Sequence, residues 1–358
     1  MIYRRVRMNT GKLGFFNSIQ YSRGLAALIV VIAHTLEHQL LDKLDAHYTT
    51  GRLGVEIFFV VSGFIISNVC GSGVFDPGKF FFRRFMRVVP LYWACTILVG
   101  FVCSIAPQVL KTTQFSVEHI LLSLFFWPHL NPLDLTDHTP LLKLGWTLNY
   151  EVFFYICFGL LFYIKSAFFR AIVISLIFVL LYLSKYLISV EHEFFYIYAN
   201  AALIPFLVGI WLSIVEQNGF LNKMPKFSSF IVLICAAAGT FFLYQQSFKS
   251  IFHMPNYLLL TGVALLLVLG LMLLEIEGLL PEIKFLEKMG DSSYSLYLVH
   301  MFVVGAAWYL GKKLLFADGY VYRYLVPVLS VVFSVLAGYV SYLFFEKPLI
   351  RWTHRVTK

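Results

Sequence analysis

Arg23 and His34 bracket the stretch RGLAALIVVIAH, and nothing charged or strongly polar lies between them. Eleven helical steps of about 100° overshoot three full turns by about 20°. In a helix the two side chains therefore share one face, about 16 Å apart along the axis. An ionisable group in so apolar a run is costly and is a functional-site candidate by default. The structural reading is a snorkelling arginine and a histidine bonded to a neighbouring helix. Further candidates are Glu56 in GVEIFFVVSGF, Glu151 in GWTLNYEVFFY and His300 in DSSYSLYLVH. A carboxylate beside His34 would pair with its protonated ring and raise its basicity. An interfacial glutamate that faces water is the alternative for each acid. In KFFFRRFMRVVPLYW, Arg84 and Arg87 stand at i and i+3 and so are neighbours in a helix. Paired guanidiniums suit phosphate, although basic clusters also occur at cytoplasmic membrane edges without any ligand. HTLEH (His34 to His38) matches an inverted zinc-peptidase pattern, with two histidines at i and i+4. That pattern needs a further acidic ligand, which no spacing here specifies.

The elements that must carry these groups follow from composition. The chain has 358 residues, 59% hydrophobic and 13% charged, with a mean hydropathy of +0.79. Soluble domains are about half apolar and a quarter charged, so this is an all-α polytopic membrane protein. The net charge of +9 reads as cytoplasmic loops and gives no reason to expect nucleic-acid binding. The five cysteines lie in or beside apolar runs without a CxxC pair, and read as packing residues. Arg4, Arg5 and Arg7 precede the first apolar run as in a signal peptide. That run is interrupted by Arg23 and His34 and lacks a small-residue cleavage site, so it reads as an uncleaved first helix.

A spanning helix needs about 20 mostly apolar residues. Ten segments qualify: 20–41, 53–70, 88–106, 145–164, 168–187, 195–215, 228–246, 256–274, 292–311 and 324–345. The run 119–128 is too short and reads as re-entrant or interfacial. With a cytoplasmic N-terminus, most of the 28 Lys and Arg residues fall inside, which places both termini in the cytoplasm. The longest outer loop, roughly 107–144, could cover a site that opens outward. Residues 1–358 are expected to form a single membrane domain.

Taken together in order, these segments resemble the type-3 membrane acyltransferase family, and within it the exopolysaccharide and lipopolysaccharide O-acetyltransferases. Arg23 and His34 match its R/K-x10-H signature. The run 54–64 is similar to its second-helix motif, with Glu56 where many members have Asp. Arg84, Arg87 and Pro90 match its R-x-x-R segment, and Trp146 and Glu151 its W-[ST]-L-x-x-E segment. Tyr294, Tyr297 and His300 match its Y-S-x-Y-L-x-H segment, and FEKPLIR (345–351) its closing helix end. The resemblance implies a multi-pass protein of the bacterial cytoplasmic (inner) membrane. It implies that acetyl groups move from cytoplasmic acetyl-CoA to a surface polysaccharide or its lipid-linked precursor, without a metal. Arg23, Arg84 and Arg87 would hold the phosphates of CoA. His34 would be the general base or would itself carry the acetyl group. Glu151 or Glu56 would orient His34. Trp146 and Tyr150 would stack on a sugar or sit in the interfacial belt. His300 would bind the donor or bond across helices. Some members carry a C-terminal esterase-like domain. None is expected before Lys358, so the membrane domain or a partner would complete the transfer. A glycan transporter or flippase is the competing class, but it would commonly show internal repeats with broken helices, and none stands out.

Overall fold

The computed structural model describes residues 6–7, 13–14, 17–40, 46–105, 115–134, 137–187, 193–245, 254–314 and 320–357, with side chains for 17–36, 50–105, 115–134, 137–186, 193–245, 254–314 and 322–357. Among the described residues, apart from a two-residue ladder that pairs Val6–Arg7 with Leu13–Gly14, the regular structure is helical. Helices α1 (Asn17–Leu40), α2 (Ala46–Cys70), α3 (Pro77–Ile105), α4 (Val117–Leu124), α5 (Gly145–Gly159), α6 (Ala167–Leu187) and α7 (Glu193–Tyr198) come first. Helices α8 (Ile204–Gln217), α9 (Ser228–Tyr244), α10 (Met254–Ile276), α11 (Lys284–Leu314), α12 (Tyr320–Ser341) and α13 (Lys347–Val356) follow, with a π-helical turn at Tyr342–Glu346 before the last.

Among the described residues seven helices are long and apolar enough to cross a membrane, so this is a multi-pass membrane protein. The sequence pattern predicts ten. The three that fall short are 145–164, 195–215 and 228–246. They fold as α5 of 15 residues, α8 of 14 and α9 of 17. At about 1.5 Å per residue, α5 and α8 are shorter than the roughly 30 Å hydrocarbon core. The interruption of 195–215 has a local cause. Asn200 accepts a hydrogen bond from the Ala202 N–H through its side chain, 3.1 Å, and so starts a new helical turn inside the apolar run. Hydropathy does not register a capping residue.

The chain divides into two compact units: Met1–Val69 with Val208–Phe344, and Cys70–Leu207 with Phe345–Lys358. In the first, Ala26, Val60, Leu260, Ala264, Val268 and Met272 are fully buried in a core between α1, α2 and α10. Lipid offers no hydrophobic penalty to drive helices together, so close van der Waals packing does that work. Glycines allow it. A Cβ on Gly24 would meet the Gly290 nitrogen at 3.1 Å, and one on Gly290 would lie 2.2 Å from the Gln20 carbonyl oxygen. Helices α1 and α11 thus approach backbone to backbone. The start of α1 is pinned by Glu275 at the end of α10, which accepts from the Asn17 and Ser18 N–H groups at 2.8 and 2.9 Å. A carboxylate at that place complements the positive end of the helix dipole.

In the second unit Tyr92, Phe154, Phe158 and Phe206 are buried, with Phe154 stacked on Phe206 at 4.6 Å. Arg170 is 1% exposed, although its sequence position suggests an ordinary cytoplasmic charge. It donates to the carbonyls of Ile164, Gly71 and Gly73 and lies over the rings of Phe75 and Phe158. It thereby closes the loop before α3, where Gly73 adopts φ +107.

Candidate active site

The signature pair of α1 faces α11. Arg23 is 6% exposed and donates to Ser293 Oγ at 2.8 Å and to Gln20 Oε1 at 3.2 Å. His34 lies further along the same face, where its Nδ1 is 3.4 Å from His300 Nε2. The rings are 5.1 Å apart between centroids and tilted by 55°. Ser293 and His300 are seven residues apart, about 20° short of two full turns, so they too share a face. The seam therefore joins an R-x10-H face on α1 to an S-x6-H face on α11. The two contacts are about 16 Å apart on α1 and about 10 Å apart on α11. The long arginine side chain takes up the difference. Tyr297, 6.1 Å from His300 and edge-on to Phe58 at 5.8 Å, walls the pair.

Glu56 is fully buried on α2. Its carboxylate accepts from Tyr257 at 2.6 Å and from Thr261 at 3.0 Å, and pairs with Arg52 at 3.0 Å. Arg52 also donates to the Tyr257 hydroxyl, 2.8 Å. The expected Glu56–His34 pair is not formed, because both carboxylate oxygens are taken by α2 itself and by α10. A buried carboxylate needs several partners at once, and α10 supplies two of them one helical turn apart.

In the second unit the R-x-x-R arginines part company. Arg87 forms an ion pair with Glu346, which is 3% exposed. The neighbouring Arg83 donates to the Oγ1 and carbonyl oxygen of Thr357, at 2.9 and 3.2 Å. Both therefore hold the C-terminal segment that includes α13. Arg84 points elsewhere. Its guanidinium lies over the rings of Phe80 and Tyr155, at 5.9 and 5.8 Å, and the Tyr155 hydroxyl donates to Glu151. Tyr155 thus connects Arg84 to Glu151. Tyr150 is buried and donates its hydroxyl to the Ile197 carbonyl at 2.9 Å, with Trp146 edge-on to its ring. That places Tyr150 in the packing of α5 rather than on a surface that could stack on a sugar.

Arg23, His34 and His300 are therefore brought together in one unit, and Arg84 and Glu151 are linked in the other. The sequence reading missed Ser293, Tyr257, Arg52, Tyr155 and Glu346. Glu346, Ser293 and Tyr155 fall within the motif segments FEKPLIR, DSSYSLYLVH and GWTLNYEVFFY, and helical spacing from His300 would have found Ser293. The side chain of His38, the second histidine of the zinc pattern, lies outside the described residues.

An acyltransferase domain family matches residues 16–346, a span that crosses both units. The exopolysaccharide production protein ExoZ of Rhizobium meliloti (strain 1021) is 31% identical over 315 residues, 87% of this chain and 93% of that protein. A Staphylococcus aureus (strain COL) protein named "Putative O-acetyltransferase SACOL0978" is 26% identical over 94% of this chain and 58% of its own length. O-acetyltransferase OatA of Staphylococcus aureus (strain NCTC 8325 / PS 47) is 22% identical over 91% of this chain and 56% of its own length. This chain thus spans a little over half of the staphylococcal relatives. No solved structure matches it.

Proposed function

The chain belongs to the acyltransferase family whose domain covers residues 16–346, and from that premise we propose that it is an O-acetyltransferase using acetyl-CoA as donor. The acceptor is a hydroxyl of a cell-surface polysaccharide or of its lipid-linked precursor. The names of the relatives, exopolysaccharide production and O-acetyl transfer, support this class. The single observation that carries the reading is the α1–α11 seam. A histidine deep in an apolar helix is held against a second, fully buried histidine, and a buried arginine anchors the same face.

In this reading the acceptor hydroxyl gives its proton to His34 as its oxygen attacks the thioester carbonyl. When the tetrahedral adduct collapses, the C–S bond breaks and the proton passes to the departing thiolate. Arg84 contacts the phosphates of the donor, and its stacking on two rings keeps the guanidinium fork oriented. Arg87 is a strut for the C-terminal helix. Glu151 acts through Tyr155 on Arg84. We read the shorter apolar helices as completing ten passes of a bacterial cytoplasmic membrane, with both termini inside.

The test uses membranes containing the full chain, radiolabelled acetyl-CoA and de-O-acetylated surface polysaccharide from the same cells. His34→Ala is expected to abolish transfer while still inserting and folding. Normal transfer by that variant refutes the catalytic assignment. Arg84→Gln is expected to raise the KM for acetyl-CoA about tenfold or more, and an unchanged KM returns Arg84 to a packing role.

A further inference from the structure

We propose that His300 is a positioning residue that, together with the Val30 carbonyl, orients the Nδ1–H of His34, so that Nε2 of His34 is the nitrogen that handles the proton. The inference rests on the reading of His34 as the catalytic base. It deepens that reading by assigning the atom that acts and the group that orients it.

The bond pattern decides the assignment. His34 Nδ1 lies 3.0 Å from the carbonyl oxygen of Val30, four residues earlier on α1. A carbonyl only accepts, so this nitrogen carries a hydrogen. His300 Nδ1 stands in the same relation to the Leu296 carbonyl on α11, at 3.2 Å, and is protonated for the same reason. A neutral imidazole has one N–H and one lone pair. The lone pair of His300 is therefore on Nε2, which faces His34 Nδ1 at 3.4 Å. The His34 N–H is shared between the Val30 oxygen and His300 Nε2.

The opposite arrangement fails on geometry. A hydrogen on His300 Nε2 would point at His34 Nδ1 and require a lone pair there. That lone pair would then face the Val30 oxygen at 3.0 Å, acceptor against acceptor. His300 is fully buried, so bulk water does not replace it as the acceptor. The Arg23–Ser293 contact and the glycine pair at Gly24 and Gly290 hold the helices in the register that makes the two rings meet.

The consequence for the reaction is direct. With Nδ1 protonated, His34 Nε2 carries the lone pair that takes the acceptor's proton. The imidazolium so formed keeps both acceptors on Nδ1–H, the Val30 carbonyl and His300 Nε2. A neutral imidazole thus orients the base, the task that a carboxylate performs in a Ser-His-Asp triad.

The experiment uses the full chain in lipid nanodiscs with 15N-labelled histidine rings, and His34 is assigned by comparison with His34→Gln. Wild type is expected to give a protonated-type shift at Nδ1 and a lone-pair-type shift at Nε2. His300→Phe fills the space but accepts no hydrogen bond. It is expected to lower kcat about 100-fold and leave the KM for acetyl-CoA unchanged, while the Val30 carbonyl still keeps the hydrogen on Nδ1. His300→Gln restores an acceptor oxygen and is expected to recover at least about tenfold of the lost kcat. Three results overturn the proposal. One is a wild-type His34 protonated at Nε2. Another is wild-type kcat in folded His300→Phe. The third is a folded His300→Gln no better than His300→Phe. Should His300→Phe fail to fold, the wild-type spectrum still decides. Transfer by His34→Gln would instead sink the catalytic reading and leave the tautomer assignment standing.

Discussion

The seam between α1 and α11 gives a prediction whose size follows from the backbone. In Gly290→Ala the new Cβ would sit 2.2 Å from the Gln20 carbonyl oxygen, 2.7 Å from its carbonyl carbon and 2.9 Å from its Cα. All three are backbone atoms, so no side chain can swing away. Ordinary contact begins near 3.4 Å, and α1 would have to withdraw by roughly 1.2 Å at that turn. Overpacking of this kind costs about 1–3 kcal/mol. The better helix propensity of alanine returns about 0.5–1 kcal/mol. The net loss, at most about 2.5 kcal/mol, should lower Tm by up to several degrees. Function should suffer more. Gln20 lies one turn before Arg23 on the face that carries His34, and a displacement of about 1 Å in a catalytic group costs about 100-fold. Gly305→Ala is the matched control on the same helix, because a Cβ there meets nothing within 4 Å. The assay is acetyl transfer per folded molecule, with thermal stability in parallel. Expected are an approximately 100-fold loss for Gly290→Ala and wild-type turnover for Gly305→Ala. Wild-type behaviour of Gly290→Ala, or equal damage from both, would refute the argument that backbone approach sets the site.

Arg87→Gln and Glu346→Gln each remove one member of an ion pair whose arginine is 13% and glutamate 3% exposed, and each should lower Tm by several degrees. The double variant Arg87→Leu/Glu346→Leu should be milder than either, and additive losses would count against the pair. Glu56→Gln keeps one acceptor oxygen, puts an NH2 donor where the other carboxylate oxygen meets Tyr257 or Thr261, and removes the negative charge paired with Arg52. Thermal stability should drop while turnover per folded molecule stays near wild type; a selective loss of kcat would return Glu56 to the chemistry. His119 on α4 is 2% exposed and packs edge-on against His129 at 4.8 Å. Burial first, and then the His129 charge, push it down to about 4. Its unfolded form titrates near 6.5, so the unfolded chain binds the extra proton and stability falls as pH drops from about 6.5 toward 4. His119→Phe should flatten that part of the Tm–pH curve, and an unchanged slope would show that other groups set it.

Part of the candidate site's geometry could be read before any coordinates. Helical periodicity alone puts Arg23 and His34 on one face, and the ordered motifs name His300, Arg84 and Glu151. Partners were harder. Arg84 and Arg87 are near neighbours in the chain, yet one stacks on rings and the other pairs with an acid some 260 positions away. Glu56 looks like a partner for any deep histidine, but the hydroxyls that claim it come from α10. Arg170 looks like one more cytoplasmic charge, and it is among the most buried side chains in its unit.

The sequence by itself determined an all-helical membrane chain with ionisable groups at set intervals along apolar helices. Local chemistry is enough for that, since hydropathy and a 3.6-residue period act within one segment. The tertiary structure decided which helix faces which, and hence which partners engage each buried charge. That depends on backbone approach at glycines and on hydrogen-bond partners hundreds of residues away. A buried polar group must find those partners in three dimensions, and spacing along the chain does not encode them.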